Sequence, residues 1–172
     1  MEIVLLGSGN VATHLGRAFK MAGQNIAQVW SRTPENAYEL ADSLGAKSVQ
    51  NLAEITTKAD LYILAVKDDA IREVAEKLSL QDQLVVHTSG STDLDVLQGI
   101  SERIGVFYPL QTFSKSKAVD FRQIPIAVEG NNREVALAIH AIADRLSERV
   151  IDLDSNQRRI LHVGAVLACN FT

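Results

Sequence analysis

Glu2-Ile3-Val4-Leu5-Leu6-Gly7-Ser8-Gly9-Asn10-Val11-Ala12 opens the chain and decides its fold. A short, largely apolar run, Glu2 to Leu6, leads straight into two glycines one residue apart. The helix-period segment Val11 to Ala22 follows. Strand, glycine turn and amphipathic helix, in that order, begin a β-α-β unit. In a GxGxxA sequence the first glycine, Gly7, permits a tight turn and the second, Gly9, lets backbone approach a pyrophosphate. The small Ala12 keeps the helix close to the sheet. The first N–H groups of such a helix are free to meet phosphate oxygens. Two glycines also suit a purely structural turn, and it is the strand before and the helix after that favour a dinucleotide site. Its expected residues here are Gly7, Ser8, Gly9, Asn10 and Val11.

Working outward, short apolar runs alternate with helix-period segments, the pattern of a parallel sheet wound with helices. Strands are expected at Glu2 to Leu6, Ile26 to Trp30, Leu61 to Val66, Leu84 to His87, Gly105 to Tyr108 and Pro125 to Glu129, with a short one near Lys47 to Val49. Helices are expected at Val11 to Ala22, Pro34 to Leu44 and Ala70 to Leu78, Pro34 suiting a first turn. Leu110 to Ile124 reads as an irregular connection. Glu134 to Leu146 sets Val135, Ala138, Ile139, Ile142 and Leu146 on one stripe, an amphipathic helix. Val150 to Leu153 reads as a closing strand. A last helix starts at Ser155, its apolar part running from Leu161 to Phe171 without a stop signal, which points to a truncated chain. The fold class is α/β, a Rossmann-type, doubly wound, mainly parallel sheet followed by the start of an all-helical domain. The expected division is 1–154 for the Rossmann domain and 155–172 for the first helix of the next.

The 172 residues, 47% hydrophobic and 22% charged, suit one such domain plus the beginning of a second. A net charge of −4 argues against a general nucleic-acid binder. The single cysteine, Cys169, allows no internal disulfide and no cysteine-rich metal site. It reads as a buried small hydrophobe. With no basic leader and no membrane-length apolar stretch, a reducing cytoplasm is the expected location.

About 20 residues after the glycine loop, an NAD binder presents Asp or Glu to the ribose 2′-hydroxyl. This sequence reads Trp30-Ser31-Arg32-Thr33 instead. A carboxylate there repels a 2′-phosphate, whereas a guanidinium between two hydroxyls holds it, each charge-assisted bond contributing about 1.5–3 kcal/mol. Ser31, Arg32 and Thr33 are therefore expected to select NADP(H). The alternative is that Arg32 is an ordinary solvated loop arginine.

Four segments together resemble a known group. Gly7 to Leu15, Leu64-Ala65-Val66-Lys67-Asp68-Asp69-Ala70-Ile71, His87-Thr88-Ser89-Gly90-Ser91 and Tyr108-Pro109-Leu110-Gln111-Thr112-Phe113 are similar to the bacterial Rossmann-like NADP oxidoreductases with a C-terminal domain of unknown function, DUF2520. Pyrroline-5-carboxylate reductases and 6-phosphogluconate dehydrogenases are wider kin. The resemblance covers essentially the whole chain. It implies a second, helical domain that usually mediates a homodimer, with Leu161 to Phe171 in its first helix. It also implies that Ala65, Val66 and Lys67 pass beside the ribose and nicotinamide. It does not supply a reaction, because the family's substrate is not established.

Ligands of doubly wound sheets sit beyond the carboxyl ends of the strands. There His87 and Ser89 are candidate catalytic residues, since a histidine near neutrality can exchange the proton that accompanies hydride transfer. The rival reading is a histidine satisfied in the turn that closes its strand. Tyr108, Gln111 and Thr112 are candidate substrate-binding residues, with Tyr108 equally suited to a core edge. Lys67 contacts phosphate or substrate, or is solvated. On the last helix His162 and Asn170, about 80° apart around the axis, are candidates for proton donor and carbonyl ligand. In the hydroxyacid-dehydrogenase relatives the equivalent helix carries a catalytic Lys and an Asn four residues later. Here no Lys follows Lys117 and Val166 stands four after His162. His14 and His140 are expected to be structural or solvated, and four scattered histidines make no recognisable metal site. The expected function is an NADP-dependent oxidoreductase acting on a small-molecule carbonyl, hydroxyl or imine substrate. The opposing class is a non-catalytic NADP(H)-binding regulatory or redox-sensing module.

Overall fold

A computed structural model describes residues 1–170, with side chains as far as Ala168. Strands β1 (Glu2–Leu6), β2 (Asn25–Trp30), β3 (Lys47–Val49), β4 (Leu61–Leu64), β5 (Leu84–His87), β6 (Arg103–Pro109), β7 (Ile126–Gly130) and β8 (Val150–Asp152) form one sheet in the order 3-2-1-4-5-6-7-8. The neighbours from β3 through β6 are parallel. Strand β7 then runs antiparallel to β6, and β8 runs parallel to β7. Sequence reading expected the strands but not this reversal.

Helices α1 (Asn10–Met21), α2 (Pro34–Leu44) and α4 (Arg133–Ala143) cover one face. Their core joins Ile3, Leu5 and Val86 of the sheet to Leu15, Leu44 and Ile139. The other face carries α3 (Ile71–Ala75) and short 3-10 turns, with Val4, Leu6, Tyr62 and Val106 buried beneath them. Alternate residues of each strand thus feed opposite layers, as the two-residue period of a strand requires.

Two expected helices are shorter than their periodicity. Ala70 to Leu78 resolves into a 3-10 turn at Asp68–Ala70, the five-residue α3, and tightened closing bonds from the Lys77 N–H to the Val74 carbonyl and from the Leu78 N–H to the Ala75 carbonyl. The segment from Glu134 ends likewise: α4 stops at Ala143 and closes with three-residue bonds through Leu146. In both, the apolar stripe outlasts the α-helical hydrogen bonding because a 3-10 turn still buries every third residue. At its start α4 is capped by Asn132, whose side chain accepts from the Val135 N–H at 2.9 Å.

Helix α5 (Ser155–Asn170) follows β8. Its first turns lie against the sheet, while Ile160, Val163, Val166 and Leu167 are exposed. Phe171, Thr172 and the side chains of Cys169 and Asn170 lie outside the described residues. No helix among those described is long and apolar enough to cross a membrane.

Candidate functional site

The carboxyl ends of β1, β2 and β4 meet at a cleft of about 340 Å3 lined by Gly7, Ser8, Gly9, Trp30 to Thr33, Ala65 to Lys67 and Val74. Gly7 is fixed by its surroundings: its φ is +129°, and a Cβ there would lie 2.1 Å from the Ala65 carbonyl oxygen. Its N–H donates to the Trp30 carbonyl at 2.7 Å, tying the loop to β2. Ser8 Oγ donates to Ser31 Oγ at 2.7 Å and fastens the same two segments again.

Gly9 differs in kind. A Cβ on it meets no atom within 4 Å, so the space above it is open for a ligand. It precedes the twelve-residue α1, makes no side-chain cap, and is followed by no acidic residue in the first turn. An exposed, uncapped helix start of this kind favours an anion. Arg32 and Lys67 are exposed at the cleft's two sides, with no ion pair to either among the described residues. The open backbone at Gly9 and the hydroxyls and guanidinium of Ser31 to Thr33 are the groups here that could hold the phosphates and ribose of a dinucleotide.

Nine of the eleven expected cofactor residues line this cleft; Val11 is half-buried against the core under α1. Asn10 is turned away from the cleft, its side-chain amide donating to the Phe113 carbonyl at 2.8 Å. His14 joins it, Nε2 lying 2.8 Å from the Ser114 carbonyl oxygen and the ring stacking on Phe113. The connection after β6 is thereby strapped to the cofactor helix. Gln111 and Thr112 are exposed in that connection. Trp30 and Val74, which sequence reading did not select, also line the cleft. Trp30 is anchored by donating from Nε1 to the Gln50 carbonyl at 3.2 Å.

Beyond β5 lies a closed polar turn. His87 is fully buried, and its Nδ1 accepts from the Ser89 N–H at 3.1 Å. Nε2 has no partner at hydrogen-bonding geometry. Burial, helped by the nearby Arg158 cation, pushes its pKa down to about 4 against weaker opposing pulls from the Asp93 carbonyl and the Asp68 and Asp93 carboxylates. His87 is neutral at pH 7. Ser89 Oγ donates to Thr92 Oγ1 at 2.9 Å and accepts from the Ser91 and Thr92 N–H groups. Ser89 is spent inside its own turn, and His87, sealed from solvent and bonded locally through Nδ1, is placed for the local reading rather than the acid–base one.

The protonation of His87 makes a measurable prediction. Below about pH 6.5 the unfolded chain takes a proton at this position, whereas the folded chain resists it down to about pH 4. The stability tied to neutral His87 is present above the unfolded pKa and is lost as pH falls through that window, by up to about 3 kcal/mol. Urea unfolding at pH 7 and pH 4.5 is expected to show a larger loss for the wild type than for His87→Gln. Equal losses would contradict it.

Tyr108, at the end of β6, points to α5. Its hydroxyl lies 2.8 Å from His162 Nδ1, with the rings edge-on and 5.7 Å apart. Burial, with the Asp68 charge adding to it, raises the Tyr108 pKa, so the phenol stays protonated. Gly90 makes room for the pair: a Cβ there would lie 2.5 Å from His162 Nδ1 and 2.7 Å from Tyr108 Cζ. Asn170 belongs to α5, but its side chain lies outside the described residues, so the other candidate on that helix has no partner to name.

The residue sequence reading missed is Arg158. It is 1% exposed, pairs through Nη1 with Glu129, and donates from Nη2 to the Thr92 carbonyl at 2.5 Å. Ser155 Oγ also bonds Glu129, and Arg159 pairs with Asp93 at 2.9 Å. Register explains why this places His162. Glu129 stands opposite Val106, two residues before Tyr108, a strand rise of about 6.6 Å. Four residues of helix, from Arg158 to His162, rise about 6 Å. Pinning Arg158 on Glu129 therefore sets His162 beside Tyr108. The hint in the sequence was an arginine on the N-terminal turn of a helix with a glutamate ending a strand upstream, too common a pairing to single out.

Comparisons with known proteins bear on this geometry. Residues 2–90 match the family model described as NADP oxidoreductase, coenzyme F420-dependent, and residues 124–172 match that of a domain of unknown function, DUF2520. A protein from Bacteroides fragilis, provisionally named an NADP oxidoreductase, is 46% identical with a TM-score of 0.94, over 99% of this chain and 67% of its own. A Thermotoga maritima protein is 24% identical (TM-score 0.78) over 98% of this chain and 64% of its own. A 1-pyrroline-5-carboxylate reductase from Streptococcus pyogenes is 18% identical (TM-score 0.72) over 91% and 59%. These last two show the fold alone. The chain spans 59–67% of the length of these solved proteins. No curated protein matches the sequence.

Proposed function

The chain belongs to the family of NADP oxidoreductases described as coenzyme F420-dependent, and from that premise we propose that it binds NADP(H) in the glycine-loop cleft and transfers a hydride between that cofactor and a small carbonyl, hydroxyl or imine compound. Family membership carries the coarse part, an oxidoreductase role with a nicotinamide cofactor. The choice of NADP rests on one observation: the loop after β2 offers Ser31, Arg32 and Thr33 to the cleft and no carboxylate.

When bound, the cofactor supplies the hydride. The chain's own residues do the rest. The open N–H groups after Gly9 hold the pyrophosphate, Arg32 neutralises the 2′-phosphate, and Ala65 and Val66 flank the nicotinamide end. The substrate then stands at the carboxyl edge of β5 and β6, under α5. Reductases of pyrroline-5-carboxylate and of imines share the fold, which makes cyclic imines a sensible class to try.

Fluorescence titration of NADPH and NADH tests the cofactor choice. Arg32→Ala is expected to weaken NADPH binding about 10- to 100-fold, the worth of one charge-assisted contact, and to leave NADH nearly unchanged. Equal wild-type affinities for the two cofactors would overturn the assignment. NADPH consumption with pyruvate, acetaldehyde and 2-methyl-1-pyrroline tests the chemistry. A second reading, a regulatory NADP(H)-binding module, draws on the lack of any lysine in α5. Tight binding without turnover across a broad panel would favour it.

A further inference from the structure

We propose that Tyr108 and His162 form the proton-handling pair of this site, with His162 Nε2 meeting the substrate and Tyr108 positioning the ring. The proposal rests on the oxidoreductase reading and deepens it. It also moves Tyr108 from contact with substrate to a place behind the histidine.

Three observations carry it. The first is the 2.8 Å contact between the Tyr108 hydroxyl and His162 Nδ1, which occupies one ring nitrogen and leaves Nε2 without a partner among the described residues. His162 is half-buried, so that nitrogen is neither sealed in the core nor free in bulk solvent.

The second is the space kept for the pair. Any side chain at Gly90 would strike both rings, at 2.5 and 2.7 Å, so the turn after β5 passes close because it carries no Cβ there. The third is the scaffold. Arg158 is buried on Glu129 one helical turn before His162 and also grips the Thr92 carbonyl. Helix α5, strand β7 and the turn holding Gly90 are thereby fixed to one another, and Tyr108 projects into the space between them. His87 and Ser89, the nearer polar side chains of that turn, are sealed from solvent, and Ser89 is spent on local hydrogen bonds. That leaves His162 as the partly exposed ring held by a second residue, with the Asp68 carboxylate, itself held by Ser91 Oγ at 2.6 Å, as the other charged group facing this turn.

The balanced step is a reduction. As hydride from a reduced nicotinamide dinucleotide forms a C–H bond, the π bond of the C=O or C=N group breaks toward oxygen or nitrogen. The protonated ring of His162 gives its Nε2 proton to that atom. The products are an alcohol or amine, an oxidised nicotinamide, and a neutral ring whose remaining Nδ1 proton is accepted by the Tyr108 oxygen. In the oxidising direction Nε2 takes the proton back. A phenol suits the second position because its oxygen accepts from Nδ1–H in these states and donates to a bare Nδ1 in the other tautomer.

The test uses wild type, Tyr108→Phe, His162→Gln and Gly90→Ala, with three readouts. NADPH affinity is expected to be unchanged in the first two variants, because neither residue lines the cofactor cleft. In 15N spectra of histidine-labelled protein above the His162 pKa, the wild-type ring is expected to hold one tautomer, whereas Tyr108→Phe and Gly90→Ala average two. A wild-type ring that averages both overturns the proposal whether or not any turnover is found. With whichever of pyruvate, acetaldehyde or 2-methyl-1-pyrroline the wild type reduces, kcat/KM is expected to fall as pH rises through the His162 pKa measured by NMR. His162→Gln should lose about 10²- to 10⁴-fold and the pH limb with it. Tyr108→Phe should lower kcat with KM little changed and move the limb to that variant's own His162 pKa. Wild-type rates and pH profile in His162→Gln would overturn the pair while leaving the oxidoreductase reading intact. Failure of that reading is a separate result, a wild-type protein that binds neither NADPH nor NADH or that binds them without turning over any of a broad substrate panel.

Discussion

Replacing Arg158 with alanine is expected to destabilise the protein by about 3–5 kcal/mol, the range for breaking a buried ion pair from one side. The guanidinium is 1% exposed and the Glu129 side chain 15%, so removing the cation leaves a carboxylate with little water to replace it. The Thr92 carbonyl loses its donor in the same step, while Ser155, through its N–H and Oγ, remains on Glu129. The cost therefore arises mainly from the group left behind. For that reason the double variant Arg158→Met with Glu129→Met is expected to recover most of the loss, since replacing both partners by apolar groups is often neutral or better. Urea denaturation of the two single variants and the double measures this. A loss below about 1 kcal/mol in Arg158→Ala would mean that the pair does not hold α5.

The second large effect is expected at Gly7. Its φ of +129° lies where side-chain-bearing residues are strained, at about 1–3 kcal/mol. The Cβ of Gly7→Ala would also press on the Ala65 carbonyl, which is backbone and cannot swing aside. Overpacking of this kind adds about 1–3 kcal/mol. The relief available is a shift of the glycine loop away from β4, which opens the contact that holds Ala65 and Val66 against Gly7. Thermal unfolding and NADPH titration are expected to move together in Gly7→Ala, with a lowered Tm and binding weakened at least tenfold. In Gly9→Ala, where the added Cβ meets nothing within 4 Å of protein, Tm is expected to hold while NADPH binding falls. A Gly9→Ala protein that binds NADPH normally would show that no phosphate passes over that glycine.

The two glycines explain how much of the site could be read in advance. Their spacing, the strand before them and the helix after them are local features, and a β-α-β start follows from them. Ser31, Arg32 and Thr33 were legible for the same reason, because a second strand ending about 20 residues later must return to the same edge. The division of labour between the glycines was less legible. A side chain on Gly7 would meet the Ala65 carbonyl, 58 residues away, whereas one on Gly9 would meet no protein atom within 4 Å.

Farther from the loop, legibility fails in a regular way. His87 reads as a candidate acid because a histidine ends an apolar strand. Its neutrality comes from burial and from Arg158, 71 positions later. Asn10 and His14 read as a cofactor contact and an idle helix residue, yet both are taken up by carbonyls about 100 residues away. Strand β7 reads as one more crossover strand, but it pairs antiparallel with β6. Strand direction depends on where a connection leads, and periodicity carries no record of it.

The sequence by itself determined the elements, the layered α/β class and the cleft that takes a dinucleotide. These rest on apolar period, turn residues and spacing, which act within a few dozen residues. The tertiary structure alone decided which histidine is sealed beneath the sheet edge and which lies half-buried against Tyr108. That depends on burial, on the reversed β7 that carries Glu129 to the level of Val106, and on one helical turn between Arg158 and His162. Hydrogen bonds and ion pairs between distant segments exist only once the sheet has set its register, so no local pattern could have announced them.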